Sequence, residues 1–552
     1  MTPGRRPIPD ETTAKYYQQR WWRETTIADD FVETAARQPD APAIVSYRQG
    51  VAEPSRHSYG ELERLSRRFA GALLDLGVER GDVVSIQLAN SWEFPALVYA
   101  ILRCGAVVNP LVPIFRRREI EFILSRTESR LLIVPDVLRG YDHGSMATDL
   151  LGVAAGLEHV VVIGSGSGSV PRAEAIDFEE FFVNRSWEDD DGLGARLAER
   201  QPQADDLVQI QFTSGTTGEP KGVLHSHNTI FSGARPVDDI YGLTGDDVCF
   251  MASTLAHQTG FGYGLVKPLS MGMTVVYQDV WDADQMLAAV ERERISWTVS
   301  ATAFAMDMIA AQQRTERDLS SFRFFVCGGA PIPPTVVEEA ASVLGAELVA
   351  VWGMTENMIV TTTRPGDPVD LVSDSDGIPV EWMEIRVLDE NREPVAVGET
   401  GDLQVRGPNQ ALGYFHRDDL YATASPDGDW FDSGDVARLR PDGGIRIVGR
   451  TKDLVIRGGE NVPVAEVEDL TLRHPAIAEV AVIGLPDDRL GERACAVIRC
   501  DGPPPSLPDL AHHLDEAGMA KQFWPERVEV VDDFPRTPSG KIQKFKLREQ
   551  FA

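Results

Sequence analysis

From about residue 30 to about residue 500, short β-branched apolar runs alternate with stretches whose apolar positions recur at helical spacing. Asp82-Val-Val-Ser-Ile-Gln-Leu88 reads as a buried strand, and Trp92-Glu-Phe-Pro-Ala-Leu-Val-Tyr-Ala-Ile-Leu102 as the helix after it. Leu131-Leu-Ile-Val134 and Val160-Val-Val-Ile163 continue the series. This alternation predicts α/β architecture with mixed or parallel sheets. A boundary is expected near Gly449-Arg450. Beyond it, Glu479-Val-Ala-Val-Ile-Gly484 reads as a strand and Leu507-Pro-Asp-Leu-Ala-His-His-Leu514 as a helix, enough for a small separate α+β domain. Gly164-Ser-Gly-Ser-Gly-Ser169 reads as a surface loop; it lacks the third glycine of a dinucleotide fingerprint.

Composition narrows the function classes. With 552 residues, 43% apolar and 25% charged, the chain can bury a core without disulfides or metals. No apolar run is long enough to cross a bilayer. The net charge of −32 repels phosphate backbones and anionic lipid, so nucleic-acid and membrane partners are not expected. An anionic substrate would need a local cationic patch. The N-terminus has no apolar signal core, and the C-terminus is neither a prenylation box nor a peroxisomal tripeptide. The five cysteines (Cys104, Cys249, Cys327, Cys495, Cys500) contain no CxxC pair and fit reduced thiols. A cytoplasmic location is expected, and a homodimer is reasonable at this size.

Lysine is the informative cation. Only eight of the 53 basic residues are lysine: 15, 221, 267, 452, 521, 541, 544 and 546. Lys221, Lys452 and Lys541 lie in loops rich in Gly, Thr and Ser, where a compact mobile charge suits a phosphate that changes geometry. Lys221 ends Thr213-Ser214-Gly215-Thr216-Thr217-Gly218-Glu-Pro-Lys221. This loop follows the strand-like Leu207–Phe212 and precedes Leu224–Phe231, which reads as able to open a helix. Hydroxyls, exposed N–H groups and a lysine make a phosphate cradle. The spacing is not that of a P-loop, and Gly540-Lys541 is followed by Ile542.

The decapeptide from Thr213 to Gly222 resembles the signature of the adenylate-forming superfamily: acyl-CoA synthetases, luciferases and nonribosomal adenylation domains. Further segments resemble its other motifs in order. Gly328-Gly329-Ala330-Pro331 resembles the adenine-side loop, and Trp352-Gly353-Met354-Thr355-Glu356 the YGxTE box. Trp430–Asp435 resembles the ribose motif, Gly449–Asn461 the hinge and glycine turn, and Pro535–Lys544 the catalytic-lysine motif. The resemblance implies a large N-terminal AMP-binding domain with several subdomains (1–449), a hinge (450–453) and a small mobile C-terminal domain (454–552). It implies that ATP, Mg²⁺ and coenzyme A serve a two-step reaction. A carboxylate attacks the α-phosphate, pyrophosphate leaves, and the acyl-AMP then meets a thiol.

On this resemblance the glycine loop with Lys221 would hold the β/γ-phosphates. Catalytic Lys541 would reach the α-phosphate and the substrate carboxylate. Glu356 would hold Mg²⁺ with Thr213 as second ligand; taken alone, a Glu beside Thr355 could equally open a helix. Asp435 would accept the ribose hydroxyls, although Ser-Gly-Asp alone could be a turn. Trp352 would stack on adenine, and Arg450 would reach a ribose oxygen or phosphate. Lys452 would be the hinge residue, and Gly458 and Gly459 would line the thiol's tunnel after domain rotation. His257 would be the catalytic-motif histidine beside the acyl pocket, shaped by Gln258, Gly260, Phe261 and Met354, with Met306 as a further apolar wall. His225, His227, His512 and His513 read as structural, since two histidines without a third ligand make a weak zinc signal.

Several segments are most similar to medium-chain and cyclohexanecarboxylate-type CoA ligases. They include Asn109–Glu119, His225–Asn228 and Ala256–Phe261. The expected activity is therefore an ATP-dependent acid–CoA ligase for a medium-chain, alicyclic or aryl acid. The alternative is an acyl- or aryl-AMP ligase that loads the pantetheine of an acyl carrier protein.

Overall fold

The computed structural model describes residues 4–6, 8–164, 174–213, 220–329, 332–450, 455–457, 460–462, 464–487, 491–517, 519, 521–536 and 542–552. The expected α/β character is realised in two large sheets. One has nine strands. Its central strands, Glu347–Met354, Phe324–Gly328, Trp297–Ser300, Val248–Met251, Thr274–Gln278 and Pro42–Tyr47, run parallel. The other has eight strands, in the order Gly413–Tyr414, Lys221–Ser226, Leu207–Thr213, Val107–Pro110, Val83–Ile86, Leu131–Pro135, His159–Ile163 and Ile176–Asp177. The parallel strands are buried on both faces, and their near-continuous Val/Ile/Leu runs are the reason they were legible.

The helix predicted over Trp92–Leu102 forms as Glu93–Arg103, apolar nearly all round and buried. One apolar cluster runs between the two sheets. Within it Phe31 and Tyr99 stack with centroids 4.1 Å apart. A four-stranded sheet carries Phe431–Leu439. Residues from Val455 onward build a five-stranded sheet and two apolar clusters of their own. There the strand Ile477–Asp487 and helix Leu507–Glu516 lie where the pattern placed them. His513 Nε2 contacts the Leu470 carbonyl at 3.0 Å, a packing role. Residues 165–169 of the Gly-Ser run lie outside the described residues. No described helix is long and apolar enough to cross a membrane.

Five strands and one helix position the candidate site: β1 (Leu207–Thr213), β2 (Lys221–Ser226), α1 (His227–Ala234), β3 (Glu347–Met354), β4 (Gly413–Tyr414) and β5 (Phe431–Leu439). The stretch Leu224–Phe231, read as able to open a helix, does so only from His227. Lys221–Ser226 pairs antiparallel with β1, with Thr213 opposite Lys221, so the loop joins two strands. Val223 and Leu224 are wholly buried in that strand. The helix waits for Ser226, whose Oγ accepts from the Thr229 N–H at 3.2 Å as an N-cap.

Candidate active site

The site lies where the edge of the eight-stranded sheet meets the end of β3. β3 turns tightly into the strand Met358–Thr362, with Met354 opposite Met358. Residues 355–357 form the turn, so Glu356 is a turn residue and does not open a helix. Gly353 makes the turn possible, because a Cβ there would collide with the Met358 carbonyl. Glu356 is buried, at 7% exposure. Its Oε1 accepts from Tyr414 Oη at 2.7 Å, and its backbone carbonyl accepts from Ala411 N–H at 2.7 Å. The Lys221 ammonium lies 4.9 Å from the centroid of the same Tyr414 ring. Carboxylate and ammonium thus share one aromatic neighbour.

His225 secures the turn from the other side. Its Nε2 lies 2.8 Å from the Thr355 carbonyl, which can only accept, so Nε2 carries the proton. Nδ1 then accepts from Thr229 Oγ1 at 3.0 Å. Burial lowers the pKa of this imidazole to about 4, partly offset by the Thr355 carbonyl. His227 is likewise lowered to about 3 by burial, and its Nδ1 accepts from the Ile27 N–H at 3.3 Å. Both are structural, as their spacing suggested, and His225 also braces the residue before Glu356.

Asp435 sits within β5 rather than in a turn, opposite Arg450 in the neighbouring strand. It is 6% exposed, and its Oδ2 accepts from Trp352 Nε1 at 3.0 Å. Trp352 therefore uses its N–H to orient the carboxylate beside it. Gly328 ends its strand against β3, where a Cβ would meet Val351 at 2.6 Å; Gly329 has φ +82°. Thr213 ends β1 opposite Lys221. One buried carboxylate and one hydroxyl are hard oxygen donors. They fit a Mg²⁺ ion that takes most of its ligands from phosphates and water.

The Thr254–His257 loop is pinned at two points. The Leu255 N–H donates to Asn90 Oδ1 at 2.8 Å, and Gln211 Nε2 donates to the Ala256 carbonyl at 2.7 Å. His257 is half-buried, and its carbonyl accepts from the Phe261 N–H at 2.8 Å. A π-helical segment, Gly260–Val266, follows; such segments gather at functional sites. Gly260 is obligatory there, since a Cβ would strike the Thr254 carbonyl. Phe261 is fully buried and Met354 packs against the same cluster. Met306 does not join this wall; it is 49% exposed on the helix Thr302–Arg314. Gln258 is 6% exposed, yet both ends of its amide lack a hydrogen-bond partner among the described residues.

Ser214, Gly215, Thr216, Thr217, Gly218, Ala330, Pro331, Lys452, Gly458, Gly459 and Lys541 lie outside the described residues. Sequence reasoning missed Tyr414 altogether. Its only local signal is a Gly-Tyr pair, and its importance comes from partners 58 and 193 residues away.

The profile of AMP-binding enzymes matches residues 31–415, and that of the AMP-binding enzyme C-terminal domain matches residues 466–541. A medium-chain fatty-acid–CoA ligase of Escherichia coli is 33% identical over 98% of this chain and 93% of its own length. A salicyl-AMP ligase / salicyl-S-ArCP synthetase of Mycobacterium tuberculosis is 31% identical over 99% of this chain and 94% of its own. The crystal structure of the anthranilate CoA ligase AuaEII in complex with anthranoyl-AMP superposes with a TM-score of 0.83. It is 26% identical and covers 96% of this chain and 97% of that one. With both profiles matched in order and relatives aligned over nearly the full length, the chain belongs to the AMP-binding enzyme family, as an adenylate-forming acid ligase of the acyl-CoA synthetase branch.

Proposed function

We propose that this enzyme is an ATP-dependent acid–CoA ligase that activates a medium-chain, alicyclic or aryl acid as its acyl-AMP and transfers the acyl group to coenzyme A. The observation that carries the reading is the buried Glu356 carboxylate, with the Lys221 ammonium over the ring that holds it. Joining a carboxylate to a phosphate brings two anions together, so catalysis is chiefly charge neutralisation and positioning. Lys221 and the 214–218 loop neutralise the departing pyrophosphate. Glu356 and Thr213 hold Mg²⁺, which offsets phosphate charge. Asp435, oriented by Trp352, takes the ribose hydroxyls. Lys541 brings a second ammonium to the α-phosphate.

In this reading residues 1–449 carry the nucleotide and acid. The 450–453 hinge rotates residues 454–552 to replace Lys541 with the Gly458-Gly459 turn for thiol attack. Phe261 and Met354 give the acid an apolar wall, and apolar walls discriminate modestly between acids of similar size.

The second reading changes only the acceptor, from free CoA to the pantetheine of a carrier protein. It is favoured by the near-full-length similarity to the salicyl-AMP ligase / salicyl-S-ArCP synthetase. A screen of AMP release over fatty, alicyclic and aryl acids, each with and without CoA, tests the proposal. CoA-stimulated turnover of one acid class is expected. Adenylation that CoA never relieves favours the carrier acceptor, and no acid-dependent pyrophosphate exchange at all refutes adenylation.

A further inference from the structure

Tyr414 touches two groups of the candidate site at once, and it sits on a strand only two residues long. β4 lies at the edge of the eight-stranded sheet, with Tyr414 opposite Val223 and Gly413 opposite Leu224. This register sets the ring beside the start of β2, where Lys221 stands. A two-residue edge strand has little to hold it. Here its outer side is covered by the N-terminal segment. The Arg6 N–H donates to the Leu412 carbonyl at 2.7 Å, and Arg5 bridges Gly413 in antiparallel register. Gly413 has φ +148° and no space for a Cβ, which would meet the Gly4 carbonyl. The segment is tied down further along its length. Arg6 pairs with Asp429 at 3.4 Å, and Trp22 Nε1 donates to the Pro408 carbonyl at 2.9 Å.

We infer that Tyr414, held in register by the N-terminal segment, is a positioning residue that fixes the Glu356 carboxylate for Mg²⁺ and the Lys221 ammonium for phosphate. The inference rests on the reading that Glu356 and Lys221 serve magnesium-ATP. The phenol has one proton, given to Glu356 Oε1, so the other carboxylate oxygen is held in a fixed direction. The ring face attracts the ammonium electrostatically.

Tyr414→Phe deletes the donor and keeps the ring. Outer partners of metal-binding carboxylates are worth roughly tenfold in metal affinity. Tyr414→Phe should therefore raise the Mg²⁺ needed for half-maximal pyrophosphate exchange about tenfold. Calorimetry supplies a readout independent of turnover: metal-free ATP binding is unchanged, and the increment added by Mg²⁺ shrinks. Arg6→Pro removes the N–H that holds β4. It should reproduce the same Mg²⁺ signature and add nothing to Tyr414→Phe in the double variant. Arg6→Ala keeps that N–H while losing the Asp429 pair, and should shift the Mg²⁺ demand far less than Arg6→Pro.

If Glu356→Gln raises the Mg²⁺ demand while Tyr414→Phe does not, the inference is overturned and the role of Glu356 stands. If neither variant changes it, the assignment of Glu356 fails and the inference falls with it. Additive effects of Arg6→Pro and Tyr414→Phe would overturn the part played by the N-terminal segment.

Discussion

His225 makes the stability of the site depend on pH in a direction that can be worked out. The imidazole is buried and neutral, and burial lowers its pKa from 6.5 to about 4. In the unfolded chain it returns to 6.5. The folded value is the lower one, so the unfolded chain takes up the proton first as pH falls. The stabilisation is fully present above about pH 6.5 and is lost as pH falls toward about 4. Across that whole window it amounts to about 3 kcal/mol. Between about pH 7.5 and about pH 5.5, which stays above the isoelectric point near 4.7, the loss is about 1.3 kcal/mol.

His225→Gln keeps an N–H for the Thr355 carbonyl and removes the titration. The assay is urea unfolding followed by tryptophan fluorescence, for parent and variant at both pH values. The parent should lose about 1.3 kcal/mol more than the variant on acidification. His227 titrates in the same direction, but it is present in both proteins and cancels in the difference. Equal losses in parent and variant would refute the buried neutral imidazole, and with it the brace on the turn that carries Glu356.

Three further outcomes follow from the same geometry. Trp352→Phe removes the N–H that Asp435 Oδ2 accepts at 3.0 Å. A hydrogen bond to a charged group is worth about 1.5–3 kcal/mol. The KM for ATP should therefore rise roughly tenfold, with kcat changed less; an unchanged KM would show that Asp435 needs no such support. Gly260→Ala forces a methyl into the Thr254 carbonyl and displaces the π-helical segment, at about 1–3 kcal/mol of strain. It should alter acid preference and the KM for the acid, while ATP-dependent steps measured by nucleotide binding stay unaffected. Lys541→Ala should abolish acyl-AMP formation yet spare thioester formation from supplied acyl-AMP, because the second half-reaction makes no new P–O bond. Separate assays of the two half-reactions check this, and near-normal adenylation would remove Lys541 from the mechanism.

The amino-acid sequence alone determined the architecture and the chemical class. Parallel strands buried on both faces must be continuously apolar, so Val83–Ile86, Leu131–Pro135 and His159–Ile163 could be read from a few residues each. The reaction class was legible because the segments Thr213 to Lys221, Trp352 to Glu356 and Trp430 to Asp435 resemble ordered motifs of the adenylate-forming superfamily. Tertiary structure decided what those residues lean on. Lys221–Ser226 became a strand, which delays the helix to His227, because the outer edge of β1 offered it a partner. Met306, apolar and plausible as a pocket wall, came to lie at the surface. Glu356 gained its neighbours from two other segments: Tyr414 from a two-residue edge strand, and His225 from β2, whose Nε2 holds the Thr355 carbonyl. A hydrogen bond between residues far apart in the chain imposes no period and no spacing on the sequence. Such contacts exist only once the two sheets meet, so the supports of the site became visible only in three dimensions.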